Sequence, residues 1–122
     1  MSGAVLVVMG GVAGGVSASV NRSALSGFSY APGTAQTSKS VVCTASGGTP
    51  PYTYAWTQVG STDIYATAST SATTYFGVFS ASPTDVEDSF VCTVTDSAAA
   101  SADSVPVTIE LTLRDSDDPF TI

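Results

Sequence analysis

Residues 40–56 read SVVCTASGGTPPYTYAW, a stretch that contains Cys43, a glycine- and proline-rich turn and Trp56, the only tryptophan of the 122-residue chain. A second run, FVCTV at residues 90–94, contains the only other cysteine, Cys92. Apolar and polar side chains alternate on both sides of the turn and again in the second run, as they do in half-buried strands. The pattern therefore predicts three β-strands that contribute to one core.

The chain from about residue 35 onward keeps this period of two. In the run from Val105 to Leu113 every second residue is Val, Ile or Leu. Gly60–Asp63 and Ser82–Asp85 separate such runs as turns, and no window has the period of an amphipathic helix. Short strands at this spacing, with turns between them, predict an all-β sandwich.

The spacing of Cys43, Trp56 and Cys92 resembles that of the immunoglobulin fold. The resemblance implies that the two cysteines oppose each other in the core and that the tryptophan packs on them. Both redox states remain open at this point, a disulfide or two buried thiols. Phe90 departs from the immunoglobulin pattern, which has a tyrosine two residues before the second cysteine.

Two segments resemble a narrower group, the PKD-like and SprB-type repeat domains of microbial surface proteins. Gly47–Trp56 looks like the signature of these modules, and Phe90–Ser97 resembles their penultimate strand and the turn that follows it. The similarity covers roughly residues 36–110. It implies an immunoglobulin-like antiparallel sandwich and says little about function.

Three parts are expected along the chain: an N-terminal arm and connecting segment at 1–34, the sandwich at 35–114 and an acidic tail at 115–122. The arm begins with a short apolar, β-prone run that is followed by glycines. Such a strand can pair with the edge of a sheet, either of its own domain or of a neighbouring subunit. The candidate assembly anchor consists of Val5, Leu6, Val7, Val8 and Met9.

Charge restricts the possible partners. The formal net charge is −7, and the only basic residues are Arg22, Lys39 and Arg114. A protein that binds DNA or RNA neutralises several phosphates with Lys or Arg, so we expect no nucleic-acid ligand. The same count argues against docking on anionic lipid, and the apolar run of the arm is too short for a membrane-spanning helix.

Histidine is absent from the chain. This excludes the Ser-His-Asp triad and the imidazole ligands of most catalytic zinc sites. The acidic clusters at Asp85–Asp88 and Asp115–Asp118 do not match a calcium-binding EF-hand loop and are expected to be solvated. We therefore expect no enzyme, no catalytic residue, no metal and no cofactor.

Small immunoglobulin-like proteins that start at their own methionine resemble accessory structural proteins of tailed bacteriophages. The resemblance implies a virion protein, a decoration or tail- and fibre-associated subunit that is present in many copies beside capsid or tail subunits. It also implies weak binding to host-surface carbohydrate, for which Tyr52 and Tyr54 are the candidate contact residues. The alternative is an adhesin or glycan-binding module that is extracellular or attached to a bacterial cell surface.

Overall fold

The computed structural model describes residues 15–115. The predicted anchor at Val5–Met9 lies outside the described residues, as does the tail after Asp115. Within them the chain forms eleven β-strands. These are β1 Ser17–Val20, β2 Ala24–Ala31, β3 Gly33–Gln36, β4 Val41–Ser46, β5 Thr53–Gln58, β6 Tyr65–Ala66, β7 Thr73–Thr74, β8 Phe76–Ser80, β9 Thr84–Thr95, β10 Ser101–Asp103 and β11 Val107–Asp115.

The first layer is built around β9, whose twelve residues serve two sets of partners. Thr84–Phe90 pairs antiparallel with β11, and Phe90–Thr95 pairs antiparallel with β5. The short strand β10 continues the β11 side of β9. The parallel strand β2 then lies beside β11 and ends this layer.

The second layer contains two three-stranded sheets. In the first, β4 lies between β1 and β7, and in the other β8 lies between β3 and β6. Successive residues of each strand point to opposite faces, so every strand gives one set of side chains to the core and one to the surface. The predicted all-β, immunoglobulin-like sandwich is thereby confirmed.

The core between the layers is apolar and centred on Phe76, which is completely buried. Its ring makes edge contacts with the rings of Trp56 and Phe90, with centroids 5.9 Å and 4.6 Å away. Fully burying one large apolar side chain contributes roughly 1.5–3 kcal/mol, so this aromatic group is a main source of stability. The β11 residues Val107, Ile109, Leu111 and Leu113 fill the opposite side, as their period of two predicts.

The sandwich begins earlier than the predicted boundary at residue 35. β1 and β2, which fall in the segment expected to connect the arm to the sandwich, pair with β4 and β11. The inward positions of β2 include Gly27, where a Cβ atom would collide with the carbonyl of Gln36. Because so small a residue is needed where the two backbones approach closely, β2 lacks the apolar alternation that marks the other strands.

Candidate functional site

The three residues that suggest the fold lie together in the core. Cys43 and Cys92 are 2% and 0% exposed, and Trp56 is directly in register with Cys92. Both cysteines are free thiols, and the indole N–H of Trp56 donates to the carbonyl of Ser71 at 2.8 Å. Burial raises the pKa of Cys43, and it raises the pKa of Cys92 to about 12. Thiols in this state are poor nucleophiles, so the pair forms no reactive site.

Tyr54 lies on the same side of β5 as Trp56, which is the core side, and Tyr52, the residue before the strand, also packs toward the core. Both are half-buried and pack against the apolar cluster. The hydroxyl of Tyr52 donates to the carbonyl of Gly47 at 2.6 Å. Only part of each ring is exposed to a ligand. The role of the two tyrosines in carbohydrate binding stays a prediction.

Exposed aromatic rings occur instead on the outer side of the β3–β8–β6 sheet. The core takes Thr74, Phe76 and Val78 from residues 73–79, and Tyr75 and Phe79 point outward, 40% and 61% exposed. Tyr65 on β6, 46% exposed, points to the same side. We refer to Tyr65, Tyr75 and Phe79 as the aromatic face.

A glycine makes this face continuous. Gly77 on β8 lies between Phe79 and Tyr75, the residue that precedes the strand, and is in register with Tyr65. A Cβ atom at Gly77 would lie 3.0 Å from the Tyr65 hydroxyl oxygen, so the tyrosine ring covers the glycine backbone. Gly77 is buried although it lies on the outer side of β8, the central strand of its sheet, because the ring of the cross-strand tyrosine covers it.

The neighbours of the face on β3 are polar but uncharged. Thr34 is in register with Phe79, and Gln36 is in register with Gly77. Both are exposed and lie on the outer side of their strand. The surface thus combines ring faces with a hydroxyl and an amide, in a protein whose net charge is −7.

Next to Phe79 the face leads into an open hollow of about 280 Å³, which we call the Asp63 hollow. Val78 and Val86 give it an apolar lining, and Asp63 is its charged residue. Hydroxyl groups come from three further lining residues, Thr62, Ser80 and Thr84. A shallow hollow with an apolar lining and a few polar groups at its rim suits a small polar ligand.

Asp88 holds the loop that carries the Asp63 hollow. Its carboxylate accepts hydrogen bonds from the Gly60 N–H at 2.8 Å, the Thr62 hydroxyl at 2.6 Å and the Gln58 amide at 2.7 Å. The N–H groups of Thr62 and Ser89 donate to it as well, at 3.2 Å and 2.7 Å. Asp88 therefore fixes the position of Thr62, the neighbour of Asp63.

The environment of Asp88 corrects the expectation of a solvated acidic loop. Asp85–Asp88 belongs to strand β9, and Asp88 is on the core side, only 8% exposed, whereas Asp85 and Glu87 point to solvent. Burial alone raises the pKa of the Asp88 carboxyl, but the hydrogen bonds from Thr62, Ser89 and Gln58 outweigh it and lower the pKa to about 2. The carboxylate is thus ionised at neutral pH and serves as a structural acceptor.

A second pair of exposed rings lies on the other layer. Phe28 and Tyr30 on β2 are 54% and 46% exposed and contact each other edge to face, with centroids 5.2 Å apart. Arg114 on β11 is in register with Tyr30, so this pair of rings lies beside a positive charge. It has a cationic neighbour, whereas the charged neighbour of the aromatic face is the carboxylate of Asp63, and it offers a natural control on the opposite layer.

Two kinds of site are not found among residues 15–115. No three His, Cys, Asp or Glu side chains in this range come close enough together to hold a metal ion. The same residues form no helix that is long and apolar enough to cross a membrane.

No protein-family model matches the chain, and no curated protein matches it. Among solved structures it is similar to an ASH/PapD-like domain of human CEP192, PapD-like domain 7, with a TM-score of 0.64 and 8% sequence identity. The match covers 95% of this chain and 98% of the human domain. At this identity the likeness shows the fold, a PapD-like sandwich of immunoglobulin type, and nothing about ligands.

Proposed function

We propose that this chain is a non-enzymatic structural protein of a tailed-phage virion whose immunoglobulin-like domain binds uncharged host-surface carbohydrate through the aromatic face. The observation that carries the binding part is the alignment of Tyr65, Tyr75 and Phe79 on one outer sheet surface. Nothing in the core chemistry supports catalysis, since the buried thiols lack a base and the chain lacks histidine.

The chemistry of the face favours a sugar over other ligands. One side of a pyranose ring presents mainly C–H groups, which pack well on the electron-rich faces of aromatic rings. The hydroxyls of the same sugar need hydrogen-bond partners, which Thr34 and Gln36 offer beside the rings. The carboxylate of Asp63 beside Phe79 can accept hydrogen bonds from two adjacent sugar hydroxyls.

A shallow face of this kind supports weak binding by one domain. Many copies on one particle compensate for this, because each bound copy raises the effective concentration of the next. The likeness of Gly47–Trp56 to repeat domains of microbial surface proteins also favours a place on a surface. The alternative, a bacterial adhesin or glycan-binding module, uses the same face and differs in where the chain is attached.

The test compares Phe79→Ala with Phe28→Ala. Both remove an exposed phenylalanine from the outer side of a sheet, at 61% and 54% exposure, but on opposite layers. Electrophoretic retardation in gels that contain neutral polysaccharides, such as dextran, mannan or galactan, measures the affinity. We expect retardation of the natural chain in at least one gel and at least a fivefold loss of affinity for Phe79→Ala, the effect of about 1 kcal/mol.

The control variant Phe28→Ala should keep the natural affinity. Equal affinities of both variants, or no retardation of the natural chain by any neutral polysaccharide, would contradict the binding proposal. Antibody labelling of purified virions, set against labelling of uninfected cells, separates the virion protein from the adhesin. Label confined to cells would contradict the virion proposal and favour the alternative.

A further inference from the structure

A second hollow, at the opposite end of β2 from Tyr30, collects most of the positive charge of the protein. It has a volume of about 440 Å³ and contains Arg22 and Lys39, two of the three basic residues of the chain. We call it the Arg22 hollow. In a protein with a net charge of −7, two neighbouring cations form a local site that attracts anionic groups.

The polar groups of the Arg22 hollow suit an extended carboxylate-bearing segment. The Arg22 guanidinium donates to the carbonyl of Ser40 at 3.0 Å, which holds the side chain in place. The hydroxyls of Ser23, Ser26 and Ser38 also line the hollow. The acidic neighbour in register is Glu110 on β11, opposite Ser26, and Glu87 on β9 follows in register with Glu110, so two carboxylates oppose the positive charge on this side of the hollow.

The chain itself contains an acidic segment that matches this hollow. Asp115 is the last residue of β11, and Asp117 and Asp118 follow it within three residues of sequence. β11 is still extended and paired at Asp115, where it lies beside Ala31 at the far end of β2. β11 therefore ends at the end of the sandwich opposite the Arg22 hollow.

The segment cannot easily reach the hollow of its own molecule. From Asp115 back to the level of Ser26 there are five residues of strand, roughly 16 Å at 3.3 Å per residue. Because β11 points away from the hollow, the chain must first reverse, and a tight turn takes about two residues. Asp118 follows Asp115 by three residues, a length of chain that spans at most about 10 Å when fully extended and is therefore too short to cover that distance.

We infer that the acidic segment around Asp117 and Asp118 docks in the Arg22 hollow of a second copy of this chain. The contact joins two different surfaces, so it is heterologous, and repeating it produces either a closed ring or an open row of subunits. A single contact between exposed charges is weak, which suits subunits that are added to a growing particle and are held there by several contacts.

This inference deepens the assembly part of the proposed function and is independent of the aromatic face. Phe79→Ala should therefore leave self-association unchanged, and a variant of the Arg22 hollow should keep its affinity for polysaccharide. Loss of one property without the other shows which proposal has failed.

The experiment measures self-association of the full chain by sedimentation at low salt, with charge reversals on both sides of the contact. Lys39→Glu changes the hollow, and Arg114→Glu is its control, because it makes the same charge change outside the hollow. The double variant Asp117→Lys/Asp118→Lys reverses the segment. Combining it in one chain with Arg22→Glu/Lys39→Glu, which changes the hollow from two positive to two negative charges, restores opposite charges across the contact.

We expect the dissociation constant for self-association to rise about fivefold or more for Lys39→Glu and for the double variant, with Arg114→Glu close to the natural chain. The combined variant should recover the natural value, and raising the ionic strength from about 0.02 M to about 0.3 M should weaken association. Three results would each overturn the inference: a monomeric natural chain at low salt, equal effects of Lys39→Glu and Arg114→Glu, or no recovery in the combined variant.

Discussion

Removing the Asp88 carboxylate should destabilise the sandwich and loosen the loop that carries Asp63. In Asp88→Ala the backbone N–H groups of Gly60, Thr62 and Ser89 all lose their acceptor. An unsatisfied buried donor costs about 1–3 kcal/mol, and water can reach part of this loop, so the low end applies. Three such donors give an expected loss of about 3 kcal/mol from a total stability that is typically 5–15 kcal/mol.

Asp88→Asn should lower the free energy of unfolding by less than Asp88→Ala does, and the hydrogen bonds of the carboxylate indicate by how much. Its oxygen can keep the bonds from Gly60 and Ser89, while its NH₂ group replaces the oxygen that faces Thr62 and Gln58. The Thr62 hydroxyl can turn to accept, but the Thr62 N–H cannot. If the Gln58 amide flips to accept, its 2.6 Å bond to the Thr62 carbonyl is lost. The loss of two hydrogen bonds should lower the free energy of unfolding by about 1–2 kcal/mol.

Urea unfolding of Asp88→Ala, Asp88→Asn and Asp85→Asn checks these values. Asp85 is on the same strand but points to solvent, so its variant should stay within about 0.5 kcal/mol of the natural chain. A lower midpoint with an unchanged slope would show that stability, rather than the compactness of the unfolded state, has changed. The Asp88 variants should also bind polysaccharide less well if the Asp63 hollow takes part in binding.

The pH dependence gives an independent check. The pKa of Asp88 is lowered to about 2, whereas an unfolded aspartate titrates near 3.8. The stability that comes from the ionised carboxylate is thus complete above about pH 4 and is lost as the pH falls toward 2. The difference between the natural chain and Asp88→Asn should shrink over this window. A constant difference between pH 7 and pH 2.5, or equal stability of Asp88→Ala and Asp85→Asn, would refute the reasoning.

Two other predictions concern the cysteines and the arm. Because burial raises the pKa of Cys92 to about 12 and also raises that of Cys43, neither thiol should react with a disulfide reagent at pH 8 until the chain unfolds in urea; rapid reaction of the folded protein would contradict this. Deleting residues 1–14 should abolish incorporation into virions but leave cooperative unfolding of the sandwich intact, and a normal content of the truncated chain in purified particles would rule out the predicted anchor.

The general fold could be predicted from the sequence because the alternation of apolar and polar residues marks each strand separately and recurs along the chain. The apolar alternation of β11 marks a strand with one buried face, and the spacing of Cys43, Trp56 and Cys92 indicates a sandwich of immunoglobulin type. β2 could not be recognised in this way. Its inward side is partly formed by Gly27 and Ser29, and its pairing with β11 joins residues that are more than eighty positions apart.

The candidate site was harder to predict because exposure depends on which face of a strand meets the core. The alternation in Tyr52-Thr53-Tyr54 correctly places both tyrosines on the same side as Trp56, but that side is buried. Tyr75-Phe76-Gly77-Val78-Phe79 shows the same alternation, and here the core takes Phe76 and Val78. Only the strand pairing brings Tyr65 over Gly77 and completes the aromatic face.

The parallel pairing of β2 with β11 also has a consequence for mechanical load. Eight residue pairs join these strands, from Ala24 beside Thr108 to Ala31 beside Asp115. If neighbouring subunits hold the chain on both sides, a pull from the N-terminal side first loads β1 and its pairing with β4, and then acts on β2 at its first residue and on β11 at its last. Because the strands are parallel, this force shears them along each other and loads all their hydrogen bonds at the same time. In a hairpin that is pulled at its open end, by contrast, the hydrogen bonds break one pair at a time. The sandwich should therefore resist stretching along this axis far better than across it.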